Sequence, residues 1–488
     1  MRKLIFFSTF ALIFTLLGCQ QNSEPTKHIY IISTNDIHAT IDAVPHLATL
    51  VSEYKERGEV ILVDSGDRVS GNAYIDDATE PGIPLIELMN DIGYDVATLG
   101  NHEFDKGSEV LSAMIDAADF DIVCANVVAK NGTTQPLPYT IIEVEGIEIS
   151  FVGVVDTDNN GYPLGGKSAY TDYEFSTDID TAYATCNATA EECDFVVLLS
   201  HMGLTNDTRL AERGVKCQWI AGGHSHDLVS EDILNTHISQ NNKNLRYVTV
   251  ADLEIENGTI LSVVYTQINT KDIAPDSTFV ERVETLKASD PKLNTVEGSA
   301  TAPATKEGVA NFTIDALANY PYEDGFKPEV TFYHYGGIRL DGFKEGDIVR
   351  AEILNNDPFQ STIYIGTLTR EQMRDFILTK YNNGDATNPD KESHYPYFRS
   401  DAPYRIILGD TPADNPDALD IVFDLEEGEY RVAMCNYIAD NYICSDIVTK
   451  QLHPTGVSVR EAMLHYIHTF GEEGFTPNNE CRQQEVKQ

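Results

Sequence analysis

Five short polar segments of the 488-residue sequence contain side chains of the types that bind divalent metal ions. Asp, Asn and His supply oxygen and imidazole nitrogen donors, and this combination suits Zn, Mn, Fe or Co. Seven such donors exceed what one ion needs, whereas two ions that share one bridging carboxylate would use all of them. The sequence therefore predicts two bound divalent metal ions. The seven candidate ligands are Asp36, His38, Asp67, Asn101, His201, His224 and His226.

Each of these segments directly follows an apolar run that has the length and composition of a β-strand. The runs are 29–34, 60–63, 96–99, 195–199 and 219–221. Stretches with helical spacing of apolar residues, 44–55 and 84–92, lie between the first three runs. This alternation predicts a layered α/β domain, which we assign to residues 28–270. Because the carboxyl ends of strands meet at one edge of such a fold, the seven side chains are expected to converge there.

Residues 271–300 differ from the domain before them. They are rich in charge, and Val280, Val283 and Leu286 recur at the spacing of one helical face. This pattern predicts a linker helix between two domains.

A second mixed domain is predicted over residues 301–488. Thr369 is expected to cap the second of its two clearest helices, with Glu371 and Gln372 in the first turn. Beyond about residue 471 the chain is expected to fray. The predicted helices cover 311–319 and 369–380, and predicted strands cover 330–333 and 361–365.

The N-terminus indicates export. Arg2 and Lys3 precede an apolar run that has the length of a signal-peptide core and is too short to span a bilayer comfortably. The run ends in Leu-Leu-Gly-Cys19, which resembles the lipobox of bacterial lipoproteins. We therefore predict a lipoprotein signal peptide over 1–18, a lipid anchor on Cys19 and a tether over 19–27. The chain would then be held on the periplasmic side of a membrane or at the cell surface. An ordinary signal peptide or a short membrane anchor is the alternative.

Export permits disulfide bonds. Two pairs lie close enough along the chain for a local bridge, namely Cys186 with Cys193 and Cys435 with Cys444. Buried free thiols are the alternative.

The formal net charge of −43 bears on the partners of the protein. Such a surface repels nucleic acid polymers and anionic membrane surfaces, so a nucleic acid polymer is not an expected partner. A small anionic substrate remains compatible with this charge, because a bound metal ion reverses the local field.

The metal segments resemble those of a known family. They read Asn-Asp-Ile-His (35–38), Ser-Gly-Asp (65–67), Gly-Asn-His-Glu-Phe-Asp (100–105), Ser-His-Met-Gly (200–203) and Gly-Gly-His-Ser-His (222–226). This set is similar to that of the calcineurin-like metallophosphoesterases. More narrowly, it resembles the exported 5′-nucleotidase family of bacteria, which includes UDP-sugar hydrolases and 2′,3′-cyclic phosphodiesterases. The resemblance implies a four-layer α/β-β/α sandwich followed by a smaller α+β domain that binds substrate.

The resemblance also implies a role for each site residue. Asp36, His38 and His226 would hold one metal ion, Asn101, His201 and His224 the other, and Asp67 would bridge them. His102 and Asp105 match the family's catalytic dyad, in which the histidine contacts the phosphate and the aspartate orients it. The implied reaction is attack on phosphorus by a hydroxide that bridges the two ions.

In the second domain the resemblance implies Arg339 as an anion contact, and Phe359 and Tyr437 as two walls of a slot for a nucleotide base. Three positions depart from the family pattern. Asp440-Asn441-Tyr442 replaces the Gly-Gly-Asp-Gly that usually follows the second aromatic residue, Thr305-Lys306 replaces arginines, and His334 or Tyr335 replaces the usual Asn. The expected function is hydrolysis of nucleotide phosphate esters. The alternatives are a phosphohydrolase or phosphodiesterase for a non-nucleotide or cyclic nucleotide substrate, and a surface lipoprotein that binds nucleotides without turnover.

Overall fold

The computed structural model describes residues 26–157, 161–165, 167–383, 398–409 and 418–487. The predicted signal peptide, the anchor at Cys19 and most of the tether lie outside the described residues. Across the part of the chain that the structure describes, no helix combines the length and the apolarity needed to cross a bilayer.

The first half of the chain alternates strands with helices, as its apolar runs predict. The strands are β1 (Lys27–Thr34), β2 (Glu59–Asp64), β3 (Val96–Thr98), β4 (Asp121–Val123), β5 (Val127–Ala129), β6 (Tyr139–Val144), β7 (Ile147–Val155), β8 (Tyr173–Phe175), β9 (Phe195–His201), β10 (Trp219–Gly222), β11 (Leu228–Ile233), β12 (Thr236–Asn241), β13 (Tyr247–Glu256) and β14 (Thr259–Asn269). The helices are α1 (Val44–Lys55), α2 (Ala73–Asp76), α3 (Ile83–Ile92), α4 (Ser108–Ala117), α5 (Asp178–Thr189), α6 (Leu204–Glu212) and α7 (Ser277–Ala288). The predicted helices 44–55 and 84–92 are confirmed as α1 and α3.

Two six-stranded sheets form the centre of this domain. The first has the order β14-β13-β1-β2-β3-β4, and β1 to β4 run parallel. The second has the order β11-β12-β10-β9-β7-β6, and β7, β9, β10 and β12 run parallel. Strands β1, β2, β7 and β9 carry near-continuous apolar runs because both of their faces are buried.

Three apolar clusters define four layers. The middle cluster joins the inner faces of both sheets and contains Phe151 and Trp219. A second cluster packs helices α1 and α3 on the first sheet, and a third packs α5 and α6 on the second. The predicted four-layer α/β-β/α sandwich is therefore confirmed. Helix α7 lies within the predicted linker, and its Val283 is buried in the cluster on the first sheet, whereas Val280 is exposed.

The second domain has its own core, built on a five-stranded sheet of order β21-β17-β24-β20-β25 and a three-stranded sheet of order β23-β22-β26. Its strands are β15 (Val296–Ala300), β16 (Ala304–Thr305), β17 (Val330–His334), β18 (Gly342–Phe343), β19 (Gly346–Val349), β20 (Thr362–Thr369), β21 (Phe398–Ser400), β22 (Tyr404–Leu408), β23 (Ala418–Phe423), β24 (Glu429–Cys435), β25 (Leu452–Ser458) and β26 (Gln483–Lys487). Its helices are α8 (Lys306–Asn319), α9 (Arg350–Asn356), α10 (Arg370–Asn383), α11 (Asn436–Tyr442), α12 (Ser445–Gln451) and α13 (Val459–His468). The predicted cap of α10 is confirmed, because Thr369 Oγ1 accepts from Gln372 N and Gln372 Oε1 accepts from Thr369 N.

Two predictions from the sequence are wrong, namely a frayed C-terminus and two local disulfide bonds. The chain does not fray beyond residue 471, because Phe475 is buried in the second core and β26 pairs in parallel with β22. Arg482 also forms an ion pair with Asp315 at 2.6 Å. These tertiary contacts hold the last segment in place, although its polar composition does not predict them.

The two local disulfides are also absent, because all seven described cysteines are free thiols. Cys186 points into the core of the second sheet beside Cys217, whereas Cys193 is only partly buried. Cys435 is likewise buried, and Cys444 is exposed. Proximity along the chain therefore did not indicate which thiols face each other.

Candidate metal centre and catalytic site

The two sheets bring their carboxyl ends to a common edge, and all seven predicted ligands lie there. Asp36 and His38 follow β1, Asp67 follows β2, Asn101 follows β3, His201 is the last residue of β9, and His224 and His226 follow β10. Five strands from two sheets therefore supply one cluster, as the spacing of the motifs predicts.

The donor atoms of the cluster are close enough to share ions. Those of Asp36, His38 and His226 all lie within 4.8 Å of one another, and those of Asp67, His201 and His224 form a second group with the same spacing. Asn101 Oδ1 lies 2.9 Å from His224 Nδ1, which joins Asn101 to the second group. Asp67 also groups with His38 and His102, so it lies between the two sets.

The backbone at this edge is strained. Five of the seven ligands have a positive φ, a region that non-glycine residues rarely adopt. Such strain costs on the order of 1–3 kcal/mol per residue and persists where the surroundings fix it. Its concentration here is typical of a functional site. The five are Asp36 (48°), His38 (46°), Asp67 (54°), His224 (76°) and His226 (58°).

The donor set fits divalent cations. His201 Nδ1 lies 2.7 Å from the carbonyl oxygen of Ser65, which can only accept, so Nδ1 carries the proton. His201 Nε2 is therefore the ring nitrogen that faces the cluster, buried and 3.1 Å from Asp67 Oδ2. His38 Nε2 lies 3.1 Å from His226 Nε2. A proton or a metal ion must lie between His201 Nε2 and the Asp67 carboxylate, because their lone pairs would otherwise repel each other.

The pKa values of His201 and Asp67 are shifted in opposite directions, and both shifts favour positive charge beside the Asp67 carboxylate. Burial alone would lower the pKa of His201, but the facing carboxylates of Asp67 and Asp36 outweigh it and raise that pKa well above its usual value. Burial alone would raise the pKa of Asp67, but His201 and His102 hold it well below its usual range. Burial lowers the pKa of His224 to about 4, so this imidazole is neutral, as a metal ligand must be.

His102 and Asp105 lie at the mouth of the cluster. His102 Nδ1 is 2.7 Å from Asp105 Oδ2, which also accepts a hydrogen bond from Ser70 Oγ at 2.8 Å. The backbone N–H of His102 donates to Asp67 Oδ1 at 2.9 Å. The carboxylate therefore fixes the Nδ1 side of the ring, and Nε2 lies 3.9 Å from Asp67 Oδ2, towards the cluster.

Glu103 connects the loop that carries Asp67 with the loop that carries Asn101. The motifs in the sequence do not indicate this role. Its buried carboxylate accepts hydrogen bonds from the backbone N–H groups of Asp67, Arg68 and Gly100 at 2.9, 2.8 and 2.6 Å. A side chain at Gly100 would place its Cβ 2.2 Å from Asp67 Oδ1, so only glycine fits there. The sequence carries no local signal for this role, because two of the three N–H groups belong to a different segment, 67–68.

The second domain faces the cluster across a cavity of about 620 Å³. Arg339 and Tyr437 line this cavity together with His38, and Phe359 lies beside it. The Phe359 ring is 5.8 Å from that of His102, and the Arg339 guanidinium lies 5.3 Å from the Phe359 ring. The structure therefore brings Arg339 and Phe359 close to the edge of the two sheets where the seven predicted ligands converge. We call this edge the metal edge.

Contacts between the domains fix the loop that carries Phe359. Asp77 of the first domain accepts two hydrogen bonds from Arg460 Nη1, at 2.9 and 3.1 Å, and one from Gln360 Nε2 at 3.2 Å. Arg460 Nε donates to the carbonyl oxygen of Asp357 at 2.6 Å.

Tyr437 has a different environment. Its ring lies 4.3 Å from that of His334, at 30°, and its hydroxyl is 3.0 Å from that of Tyr442. Among the described residues, Phe359 and Tyr437 make no ring contact with each other. One face of the Tyr437 ring thus lies against His334.

Comparisons with known proteins agree with this arrangement. Residues 29–228 match the model for the calcineurin-like phosphoesterase family, and residues 285–444 match that for the 5′-nucleotidase C-terminal domain. The trifunctional nucleotide phosphoesterase protein YfkN of Bacillus subtilis is 28% identical over 482 aligned residues, which cover 86% of this chain and 32% of YfkN. The chain therefore spans about a third of the length of that relative.

Other relatives match over most of their length. A 5′-nucleotidase of Vibrio cholerae is 24% identical, over 80% of this chain and 82% of its own. The crystal structure of a 5′-nucleotidase precursor from Thermus thermophilus superposes with a TM-score of 0.76 at 19% identity, covering 94% of this chain and 99% of that one. At that identity the likeness concerns the fold. With both family models matched in order, the chain belongs to the 5′-nucleotidase family.

Proposed function

We propose that the chain hydrolyses phosphate esters of nucleotides with two divalent metal ions, Zn, Mn, Fe or Co. The observation that carries this proposal is the convergence of seven donor side chains from five strand ends in two groups of closely spaced donor atoms. One ion would be held by Asp36, His38 and His226 and the other by Asn101, His201 and His224, with Asp67 shared. Two ions so held lower the pKa of a water molecule and clamp the ester oxygens.

The residues around the cluster would act on the phosphate. Because Asp105 and Ser70 fix the Nδ1 side of His102, its Nε2 is available to donate to a phosphate oxygen as negative charge builds up. Arg339, beside Phe359, would hold the same phosphate through its planar fork of donors. Both groups are positioned before substrate arrives, so they need little reorganisation during the reaction.

Two half-exposed rings support a nucleotide as the substrate. Phe359 and Tyr437 each leave 38% of their surface exposed, although both belong to a well-packed domain. Exposed aromatic faces next to an anion contact suit a base joined to a phosphate, and stacking contributes about 1–3 kcal/mol per base.

Phosphate release tests the proposal. The full chain, loaded with Mn, would be assayed with AMP, 2′,3′-cyclic AMP and 4-nitrophenyl phosphate, with and without a chelator. We expect release from AMP that chelation abolishes and that His102→Ala strongly reduces. Tyr139→Ala, an exposed tyrosine far along the second sheet, is the control for a general effect of substitution. Hydrolysis of AMP no faster than of 4-nitrophenyl phosphate would contradict a nucleotide substrate.

One observation favours a second candidate with the same metals. The His334 ring already packs against Tyr437, which limits the space for a base, and the Asp that usually follows the second aromatic residue has no clear counterpart. A phosphohydrolase for a non-nucleotide ester, or a phosphodiesterase for cyclic nucleotides, follows from this. Faster turnover of 2′,3′-cyclic AMP or 4-nitrophenyl phosphate than of AMP would favour it. Nucleotide binding without any phosphate release would instead favour a binding protein.

We also propose that the chain is exported and anchored through a lipid on Cys19. The support is the apolar run 4–17 that ends in Leu-Leu-Gly-Cys19. Metabolic labelling with palmitate in a bacterial host tests it. Label on the wild-type chain and none on Cys19→Ser is expected, whereas equal labelling of both would contradict the anchor.

A further inference from the structure

Residues 70–77 contact both the dyad of His102 and Asp105 and the second domain, and we call them the connector. The connector ends with helix α2 and the residue that follows it. It runs directly against the backbone of a predicted ligand, because a Cβ at Gly71 would lie 2.2 Å from the carbonyl oxygen of His38. The connector is therefore part of the packed backbone at the metal edge.

The first residue of the connector holds Asp105. Ser70 Oγ donates to Asp105 Oδ2 at 2.8 Å, and the same carboxylate oxygen lies 2.7 Å from His102 Nδ1. Ser70 is 4% exposed, and its backbone has a φ of 66°, in a region that residues other than glycine rarely adopt. The hydroxyl therefore stays on the carboxylate only while the surrounding contacts maintain this conformation.

Asp76, at the end of helix α2, supplies such contacts. Its carboxylate is 3% exposed and accepts hydrogen bonds from the backbone N–H groups of Ser70, Gly71 and Asn72, at 2.9, 2.7 and 2.8 Å. Hydrogen bonds to a charged acceptor are stronger than those between neutral groups. One side chain of helix α2 therefore fixes the backbone that presents the Ser70 hydroxyl to the dyad.

The next residue, Asp77, joins the connector to the second domain. It accepts two hydrogen bonds from Arg460 Nη1, at 2.9 and 3.1 Å. Arg460 is 6% exposed, and its Nε donates to the carbonyl oxygen of Asp357 at 2.6 Å, so the guanidinium is anchored in its own domain. At the start of α2, the Ala73 N–H donates to Asn355 Oδ1 at 2.5 Å. The second domain thus holds the connector at both ends of α2.

We propose that Asp76, Asp77 and Arg460 are positioning residues for the dyad, so that the contact between the domains supports the reaction at the phosphate. Asp76 and Asp77 are consecutive, so the ion pair with Arg460 limits movement of the carboxylate that holds Ser70. This inference rests on the proposed function, in which His102 donates to the phosphate. A small misplacement of such a donor lowers the rate.

An ester without a base separates this role from a role in base binding. The Mn-loaded full chain would be assayed with 4-nitrophenyl phosphate and AMP. We expect Arg460→Ala and Asp77→Ala to lower kcat for both esters about tenfold, with KM changed less than kcat and metal content as in the wild type. Asp77→Asn keeps an acceptor oxygen for Arg460, so it should lose less than Asp77→Ala. A loss confined to AMP, or confined to KM, would overturn the inference.

Double variants test whether the effect passes through Ser70. Ser70→Ala alone should lower kcat about tenfold, because Asp105 loses one of its two contacts. Adding Arg460→Ala should lower kcat further by no more than about twofold, since both changes act on the same hydrogen bond. Independent effects would multiply to about 100-fold, and that result would overturn the inference.

Two matched controls come from the same domain. Ser108→Ala removes a hydrogen bond of the same kind, from a serine Oγ to Asp172 Oδ2 at 2.6 Å, outside the dyad. Tyr74→Phe removes a hydrogen bond of α2 to Asn294 Oδ1, at 2.6 Å, and leaves the two aspartates in place. Both variants should keep kcat within about twofold of the wild type. A tenfold loss in Tyr74→Phe would mean that any change in α2 lowers the rate, which would overturn the inference.

Nuclear magnetic resonance separates this inference from the proposed function. The Zn-loaded full chain with ¹⁵N-labelled histidine needs no turnover, and the ring signals of His102 are assigned by their loss in His102→Ala. We expect Arg460→Ala to shift or broaden these signals and Tyr74→Phe to leave them unchanged. Phosphate release by the wild type, with unchanged kcat and unchanged His102 signals in Arg460→Ala, would overturn the inference and leave the proposed function standing. Altered His102 signals in a protein that releases no phosphate would support the positioning role and contradict hydrolysis.

Discussion

Asp36 and Asp67 at the metal edge are 0% and 2% exposed. Phe359 and Tyr437, on the side of the second domain that faces this edge, are each 38% exposed. We call that side of the second domain the wall. The predicted ligands lie directly at strand ends, and five of the seven, these two included, have a positive φ. The aromatic residues sit on a loop and on a short helix, α11, and contact a few neighbouring side chains. The difference indicates that the metal edge keeps fixed distances between its donor atoms, whereas the aromatic side can accommodate different substrate groups.

The chemistry of each half explains why. Metal ligation depends on ångström-scale distances, so backbone strain of about 1–3 kcal/mol per residue is tolerated to secure them. Stacking of a ring on a base depends weakly on the position of the ring, so a half-exposed side chain suffices. We therefore expect substitutions at the metal edge to abolish turnover, and substitutions on the wall to change substrate preference.

The largest effect is expected for Asp67→Asn. This residue groups with donors of both sets, and its loss as an anion would weaken both ions. We expect kcat to fall by about 1000-fold or more, since each ion contributes several kcal/mol of charge stabilisation. Metal analysis and phosphate release would be measured beside Asn101→Ala, which belongs to one set only and should lose less. Near-normal turnover and metal content in Asp67→Asn would show that the residue is not shared.

His102→Ala is expected to lower kcat by about 100- to 1000-fold with metal content unchanged, because one donor to the developing charge is removed. Asp105→Asn should cost less, about 10- to 100-fold, because the ring stays in place but loses its fixed orientation. Metal analysis, kcat and KM for AMP would be measured for both variants. A larger loss in Asp105→Asn than in His102→Ala would mean that the carboxylate itself acts on the substrate.

The same contrast explains what the sequence could predict. Asp36, Asp67 and His201 were predictable because strand period and motif order place them at one edge, whatever the surrounding loops do. Glu103 was missed because its role lies in three backbone N–H groups that only the folded loops bring together. The pairing of Cys186 with Cys193 is wrong because Cys186, on α5, faces Cys217 in the loop before β10, and local spacing does not encode that contact.

The second domain was predictable in its elements and less so in its contacts. Helix α10 and its cap followed from local pattern, since Thr369 and Gln372 satisfy each other within one turn. The stacking of His334 on Tyr437 could not follow from the sequence, because it joins the end of β17 to α11. Side-chain contacts between elements depend on packing, and local spacing does not encode them.

Glu103→Gln tests whether the metal edge keeps its shape without the Glu103 carboxylate, which is not a predicted metal ligand. An amide keeps one acceptor oxygen but loses the charge that three backbone N–H groups share. We expect a free energy of unfolding lower by about 2 kcal/mol and a kcat lower by about 10-fold or more. Urea unfolding and phosphate release would be measured, with the exposed Glu148→Gln as the matched control. Wild-type stability and rate in Glu103→Gln would show that the loops hold their shape without it.

The smallest effect is expected for Tyr437→Ala. Its ring has one face against His334, so a base gains only the other face, and we expect kcat/KM for AMP to fall by about tenfold, within the usual range for one stacking contact. Hydrolysis of 4-nitrophenyl phosphate should fall less, because that ester has no base to place on the wall. Both rates would be measured beside Tyr139→Ala, a tyrosine of similar exposure outside the cavity. Equal losses for the two substrates would mean that Tyr437 supports the fold of the wall. The two halves of the site would then be equally rigid.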